Sequence, residues 1–185
     1  MTKVIKNYIR MIYFYYSKFM LYINSVKIPT NDQFFKKDYC DLYNLYRLTI
    51  KTKPKVSLEV GSGYSTLIFC EALKRISERE TEEVGRIHYC LEQDEKFLRL
   101  IKDYMYPDYS KYIRFIKTDL IVKEVANQQV SICRDFPDVS INLFYEDRTD
   151  HKKYPIAGDA LLIEDSMPGN YTICVDGMRP TVDFF

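Results

Sequence analysis

From Lys55 onward the chain alternates short apolar runs rich in β-branched residues with longer stretches of helical periodicity, and few architectures accept that pattern. It predicts parallel strands joined by crossover helices. We place strands at Val56 to Val60, Ile87 to Glu92, Ile113 to Lys117, Ser140 to Tyr145 and Tyr171 to Val175. Between them fall helices from Ser65 to about Arg79, from an N-cap at Asp94 to a stop before Pro107, from about Leu120 to Cys133, and around Ala157 to Asp165. The fold class is therefore α/β, a doubly wound, mostly parallel five-stranded Rossmann-like sheet with an N-terminal helical extension. The domain boundaries are set at 1–53 for the extension and 54–185 for the sheet domain.

The extension is aromatic and basic. Residues 1–56 carry 11 Lys and Arg against three Asp, a net +8, so the rest of the chain carries −7 toward the total of +1. A basic leader on an acidic body points to an anionic surface as its contact, and the acidic body argues against nucleic acid. Lys3, Lys6, Arg10 and Lys18 share one side of a helix whose remaining surface is apolar, from Ile5 to Tyr22. Lys18 interrupts the run too early for a membrane span, and no small-residue cleavage site follows it. Three readings stay open for this helix: packing on its own domain, a homodimer contact, and an interfacial membrane helix. A second helix is expected from Asp32 to Lys51, stopped by Pro54. Its tyrosines, like those of the leader, are read as packing rather than as base-stacking platforms.

The five cysteines are odd in number and contain no Cys-x-x-Cys pair, so neither a disulfide framework nor a metal site is expected. Cys70, Cys90 and Cys174 lie in apolar runs, where a thiol acts as a small hydrophobe. This implies a reducing, cytoplasmic location, with membrane association only through the leader.

In open α/β sheets ligands bind beyond the carboxyl ends of the strands, where the strand order reverses. The residues following each strand are the candidates. Glu59 ends the first strand. Gly61 and Gly63 let a backbone approach a ligand, and Ser65 and Thr66 open the helix that follows. Glu92 closes the second strand, where a carboxylate accepts hydrogen bonds from both hydroxyls of a ribose. Asp119 follows the third strand, Glu146 and Asp147 the fourth, and Asp176 the fifth. Carboxylates repel phosphates, and Thr66 stands where a dinucleotide fingerprint has its third glycine. A nucleoside without pyrophosphate fits better.

These segments resemble the class I S-adenosylmethionine-dependent methyltransferases over about Pro54 to Gly177. Glu59-Val-Gly61-Ser-Gly63-Tyr-Ser65-Thr66 looks like their first motif and Cys90-Leu-Glu92-Gln-Asp94 like their ribose-binding motif. Asn142-Leu-Phe-Tyr-Glu146-Asp147 resembles their fourth-strand motif, with Asn142 and Glu146 standing where the family usually has Asp. Met167 to Asp176 resembles the turn and strand that follow. The resemblance implies S-adenosylmethionine as cofactor, with Gly61 and Gly63 along its methionine part, Glu92 on the ribose and Asp119 near the adenine edge.

Methyl transfer needs little beyond alignment and, for a hydroxyl acceptor, a base. Glu146, Asp147 and Asp176 are the candidates for that base. His88 reads as a core or edge residue, and His151 as either catalytic or solvated. Family members continue with a further helix and β-hairpin beyond the point where this sequence ends. Two functions therefore stand: a methyltransferase acting on a small molecule or glycan precursor, and a catalytically inactive binding or scaffold protein of the same fold. A nicotinamide oxidoreductase is a third.

Overall fold

The computed structural model describes residues 16, 19, 22, 39–81, 84–105, 108–125, 127–147, 158–163 and 166–175. The rest of the expected leader helix, the start of the second helix, His151 and Asp176 lie outside the described residues.

Five strands form one parallel sheet: β1 (Val56–Val60), β2 (Ile87–Glu92), β3 (Ile113–Lys117), β6 (Leu143–Glu146) and β7 (Thr172–Val175), in the order β3-β2-β1-β6-β7. Three of the five predicted strands are found residue for residue; the fourth begins three residues later and ends one residue later than expected, and the fifth begins one residue later. The order in which strands are added reverses between β1 and β6, which run parallel. That places the switch point directly beyond Val60 and Glu146, which are register partners.

The two faces of the sheet carry different chemistry. Leu58, Val60, Leu91 and Phe144 form an apolar face with Ile141, Ala160 and Ile163. The opposite face packs beneath α2 (Tyr64–Ser77) and α3 (Glu95–Met105), through Phe69, Cys70, Leu73, Ile101 and Met105. It also carries buried Ser57, Glu59 and His88. Strand alternation explains the split, because Ser57 and Glu59 are two residues apart and so point the same way.

Helix α1 (Tyr39–Thr52) presents Leu42, Leu45 and Thr49 to the same core at helical spacing. It ends where Lys53 turns left-handed at φ 48° while its N–H still reaches Thr49 O at 2.9 Å. Pro54 cannot continue the helix. Tyr16, Phe19 and Tyr22 are helical, and Phe19 is buried with its ring 5.3 Å from Tyr43 and 5.7 Å from Tyr46. Tyr22 Oη meets Tyr109 Oη at 3.1 Å, and Tyr109 donates to Glu71 Oε2 at 3.0 Å. Burial pushes the Tyr22 phenol up to about 12. Tyr16 and Phe19 thus meet tyrosines of α1, and Tyr22 meets Tyr109. Among the described residues no helix is long and apolar enough to cross a membrane.

One expectation fails. The segment from Leu120 to Cys133 is not a helix but an antiparallel hairpin, β4 (Leu120–Val125) and β5 (Gln128–Cys133). Val125 pairs with Gln128 across a two-residue turn whose second residue, Asn127, has φ 62°. Asn is one of few side chains that tolerate that conformation, and Ile121, Val122, Val130 and Ile132 favour strands. The hairpin covers the apolar face and meets α4 (Asp159–Ile163), where Gly158 N–H donates to Ser131 O at 2.9 Å and Cys133 N–H to Asp159 Oδ1 at 2.6 Å. A Cβ on Gly158 would come within 2.9 Å of Val130 Cγ2, so the contact admits only glycine without rearrangement.

Asn142, at the start of the segment that resembles the fourth-strand motif, has a structural partner. Its Oδ1 accepts from the Lys55 and Val56 amides at 3.1 Å each, which ties it to the amino end of β1, away from the switch point. None of the five cysteines forms a disulfide, and Cys70, Cys90 and Cys133 are buried and Cys174 partly so.

The amino ends of β1 and β2 are tied by Arg86, which is 8% exposed. Its Nη1 donates to the Lys53 and Pro54 carbonyls at 2.6 and 2.7 Å, and its Nη2 and Nε grip Glu80 at 2.7 to 3.2 Å. Arg86→Ala is expected to lower unfolding stability by about 2–3 kcal/mol, because two carbonyls lose a charged donor. A urea denaturation midpoint reads this directly. Since the hydrogen bond from Arg86 holds the Glu80 carboxyl below its ordinary range, that pairing persists until the pH falls below the range.

Candidate functional site

The site is built on the turn after β1. Gly61 stands at φ 96°, a conformation that L side chains rarely adopt, and its N–H donates to Leu91 O at 2.9 Å. This fastens the turn to the end of β2. Gly63 differs in kind: its φ of 178° suits any residue, and a Cβ there would meet nothing within 4 Å. Neither conformation nor protein packing demands glycine at 63, whereas a close-approaching ligand would.

Helix α2 begins at once. The Gly63 N–H donates to Thr66 Oγ1 at 3.0 Å, so the Thr66 hydroxyl, fully buried, caps its own helix and approaches Cys90 Sγ at 3.9 Å. Ser65 is 4% exposed. Both hydroxyls belong to the helix start rather than to open surface.

Glu92 lies across from the turn at the end of β2. Its Oε2 accepts from Ser62 N–H at 2.8 Å and from the Ser62 hydroxyl at 2.6 Å, and its Oε1 accepts from Asp94 N–H at 2.8 Å. Burial raises its pKa above the usual carboxylate value, and the Ser62 hydroxyl leads the hydrogen bonds that oppose the rise. Asp94 then caps α3, as predicted, its Oδ1 taking the Lys96 and Phe97 amides at 2.8 and 3.3 Å.

Glu59 is placed differently from the other acidic strand ends. It is fully buried beneath the turn, with Oε1 3.1 Å from His88 Nε2, an ion-pair distance without hydrogen-bond alignment. The other His88 nitrogen, Nδ1, lies 2.9 Å from Ser57 Oγ, and the ring stacks on Phe69 at 4.3 Å. His88 is thus a core residue, as its position in the strand implied. Glu59 is enclosed on the helix-covered face of the sheet instead of facing open space.

Asp119 is exposed and lies between two cations, Arg134 Nη1 at 3.1 Å and Lys117 Nζ at 3.4 Å. The buried residue at this strand end is Thr118, whose N–H donates to Glu92 O at 3.1 Å and whose hydroxyl accepts from Asp135 N–H at 3.1 Å. Sequence reasoning passed over both Ser62 and Thr118. Ser62, flanked by two singled-out glycines and facing an acidic strand end, was the findable one.

At the switch point Glu146 is 1% exposed, whereas Asp147 is half-buried with its N–H on Val60 O at 3.0 Å. The structure thus gathers Gly61, Ser62, Gly63, Glu92 and Asp147 around the carboxyl ends of β1, β2 and β6. A separate recess of about 460 Å³ opens among Ser77, Glu80, Gly85, Arg86, Lys111 and Tyr112. It lies at the amino ends of the strands, where Arg86 is already consumed by Glu80 and two carbonyls, and has no part in this site.

No protein-family model matches the chain, and no curated protein matches it. Solved structures do. A methyltransferase of Podospora anserina, PaMTH1, solved with SAH bound, superposes with a TM-score of 0.50 at 17% identity, over 87% of this chain and 61% of its own. An O-methyltransferase from Bacillus cereus in complex with SAH aligns at a TM-score of 0.44 and 14% identity, over 76% of this chain and 56% of its own. The chain therefore spans about three fifths of the length of these proteins. With its strand order, its glycine turn and its helices on both sides of the switch point, this chain has the fold of the class I S-adenosylmethionine-dependent methyltransferases.

Proposed function

We propose that the chain binds S-adenosylmethionine at the turn after β1 and transfers its methyl group to a small molecule or glycan precursor. The observation that carries the reading is the pairing of Gly63, bare without structural need, with Glu92, a buried carboxylate at the neighbouring strand end. SAH, the demethylated product of that cofactor, is bound by the Podospora protein of the same fold. A group with a flat base and a ribose diol suits a turn with glycines beside a buried acid.

When bound, the cofactor supplies a methyl group on a positively charged sulfur. The chain's own residues hold and orient it: Gly61 shapes the turn, Gly63 admits close approach, and Glu92 accepts from the ribose hydroxyls. Carboxylates near the switch point favour a cationic ligand over an anionic one. Where the acceptor is a hydroxyl, Asp147 is the better-placed base, because it is half-buried while Glu146 is enclosed.

Calorimetric titration with S-adenosylmethionine and SAH tests the reading, with Gly63→Ala as its control. The added methyl meets no protein atom, so stability should stay within about 1 kcal/mol of the parent, the scale of an N-cap change. Binding should fall by about tenfold or more, since the methyl occupies ligand space. Unchanged binding by a folded Gly63→Ala variant would remove the ligand from this turn. Cofactor binding without methyl release across a panel of hydroxyl and amine acceptors would favour a binding protein over an enzyme.

A further inference from the structure

Glu92 is crowded where a ribose would have to bind, and one rotatable group is responsible. An ionised carboxylate offers about four lone-pair directions. Here the Ser62 amide, the Ser62 hydroxyl and the Asp94 amide take three of them, at 2.8, 2.6 and 2.8 Å. A ribose presents two hydroxyl donors, so one existing bond has to yield.

The two amides are fixed. The Ser62 amide follows Gly61, whose left-handed conformation is fastened to Leu91 O, and the Asp94 amide belongs to the residue that caps α3. The Ser62 hydroxyl is different, because it turns about a single side-chain bond while its backbone stays put. Ser62 is also only partly buried, so a displaced hydroxyl finds water.

We propose that Ser62 is a built-in competitor for the ribose: its hydroxyl occupies on Glu92 Oε2 the acceptor position of one ribose hydroxyl, and the nucleoside must turn it out to bind. This rests on the reading of Glu92 as the ribose acceptor. The competitor keeps the empty carboxylate solvated, sets affinity below what the pocket would otherwise give, and returns to Glu92 as product leaves. The residue therefore tunes release rather than chemistry. The hydroxyl's place as the leading hydrogen bond restraining the Glu92 pKa agrees with a strong contact in the ligand-free state.

The test compares the parent, Ser62→Ala and Ser62→Thr by calorimetry with SAH and with its 2′,3′-dideoxy analogue. Ser62→Ala should bind SAH about threefold to tenfold tighter, the scale of one charge-assisted hydrogen bond after partial compensation by water. The analogue, having no diol, should bind both proteins equally, and Ser62→Thr, which keeps the hydroxyl, should behave as the parent. Parent binding of SAH with no tightening in Ser62→Ala, or equal tightening for both ligands, overturns the competitor and leaves the cofactor reading standing. Absence of SAH binding by parent and Ser62→Ala alike overturns both. A ligand-free measurement stands beside these: carbon-13 titration of the Glu92 carboxyl should move upward in Ser62→Ala, and an unmoved titration overturns the contact itself.

Discussion

Glu92→Ala is expected to weaken SAH binding by about a hundredfold or more, because each ribose hydroxyl loses a charged acceptor and such bonds are worth about 1.5–3 kcal/mol apiece. Calorimetry measures the loss, and a circular dichroism melt separates it from unfolding. The same carboxylate predicts a pH dependence. Burial raises the Glu92 pKa above the ordinary carboxylate range, and ribose hydroxyls donate to the ionised form. SAH affinity should therefore fall as pH drops through that raised value, approaching about tenfold per pH unit below it. Ligand-free stability has the opposite sign: the protonated carboxyl favours the folded state, and its contribution is lost as pH rises through the same value. Glu92→Gln should bind weakly at every pH, without the slope. A slope that survives in Glu92→Gln assigns the titration to another group.

The sheet was legible because short runs rich in β-branched and aromatic residues, as in β1, β2 and β3, alternate with stretches of helical periodicity. Gly61 and Glu92 were legible as strand-end residues for the same reason. The hairpin from Leu120 to Cys133 was missed because a crossover helix was expected between parallel strands. Its β-branched content and Asn127 carried the contrary local signal. The site was less legible than the fold, since strand-end position does not fix burial. Glu59, Glu92, Asp119 and Asp147 all follow the same rule in sequence. The structure puts the first beneath the turn, the second against it, the third between Lys117 and Arg134, and the fourth half-open at the switch point. Only the partner residues separate these cases, and several of them, His88, Ser62 and Arg134, come from distant segments of the chain. Ser62 shows the same limit, because its importance arises from the Glu92 oxygen that the fold brings to 2.6 Å.

His88→Ala is expected to destabilise the protein by about 3–5 kcal/mol, the largest loss of stability from any single change considered, because it strips the facing group from a fully buried carboxylate. The Phe69 ring loses its stacking partner in the same step. Urea denaturation gives the size. Glu59 then separates two roles that the geometry joins, since the residue fills the core and also lies two positions before Gly61. Replacing both partners with apolar side chains, as in Glu59→Met with His88→Leu, should recover most of the stability lost in His88→Leu alone, because no buried polar group is left without a counterpart. If that double variant recovers stability and binds SAH within about threefold of the parent, inside the roughly 0.5 kcal/mol over which independent sites add, Glu59 acts on folding alone. If it recovers stability and still binds poorly, the buried carboxylate sets the position of the glycine turn, and the polar line from Ser57 through His88 to Glu59 is part of how the site is shaped.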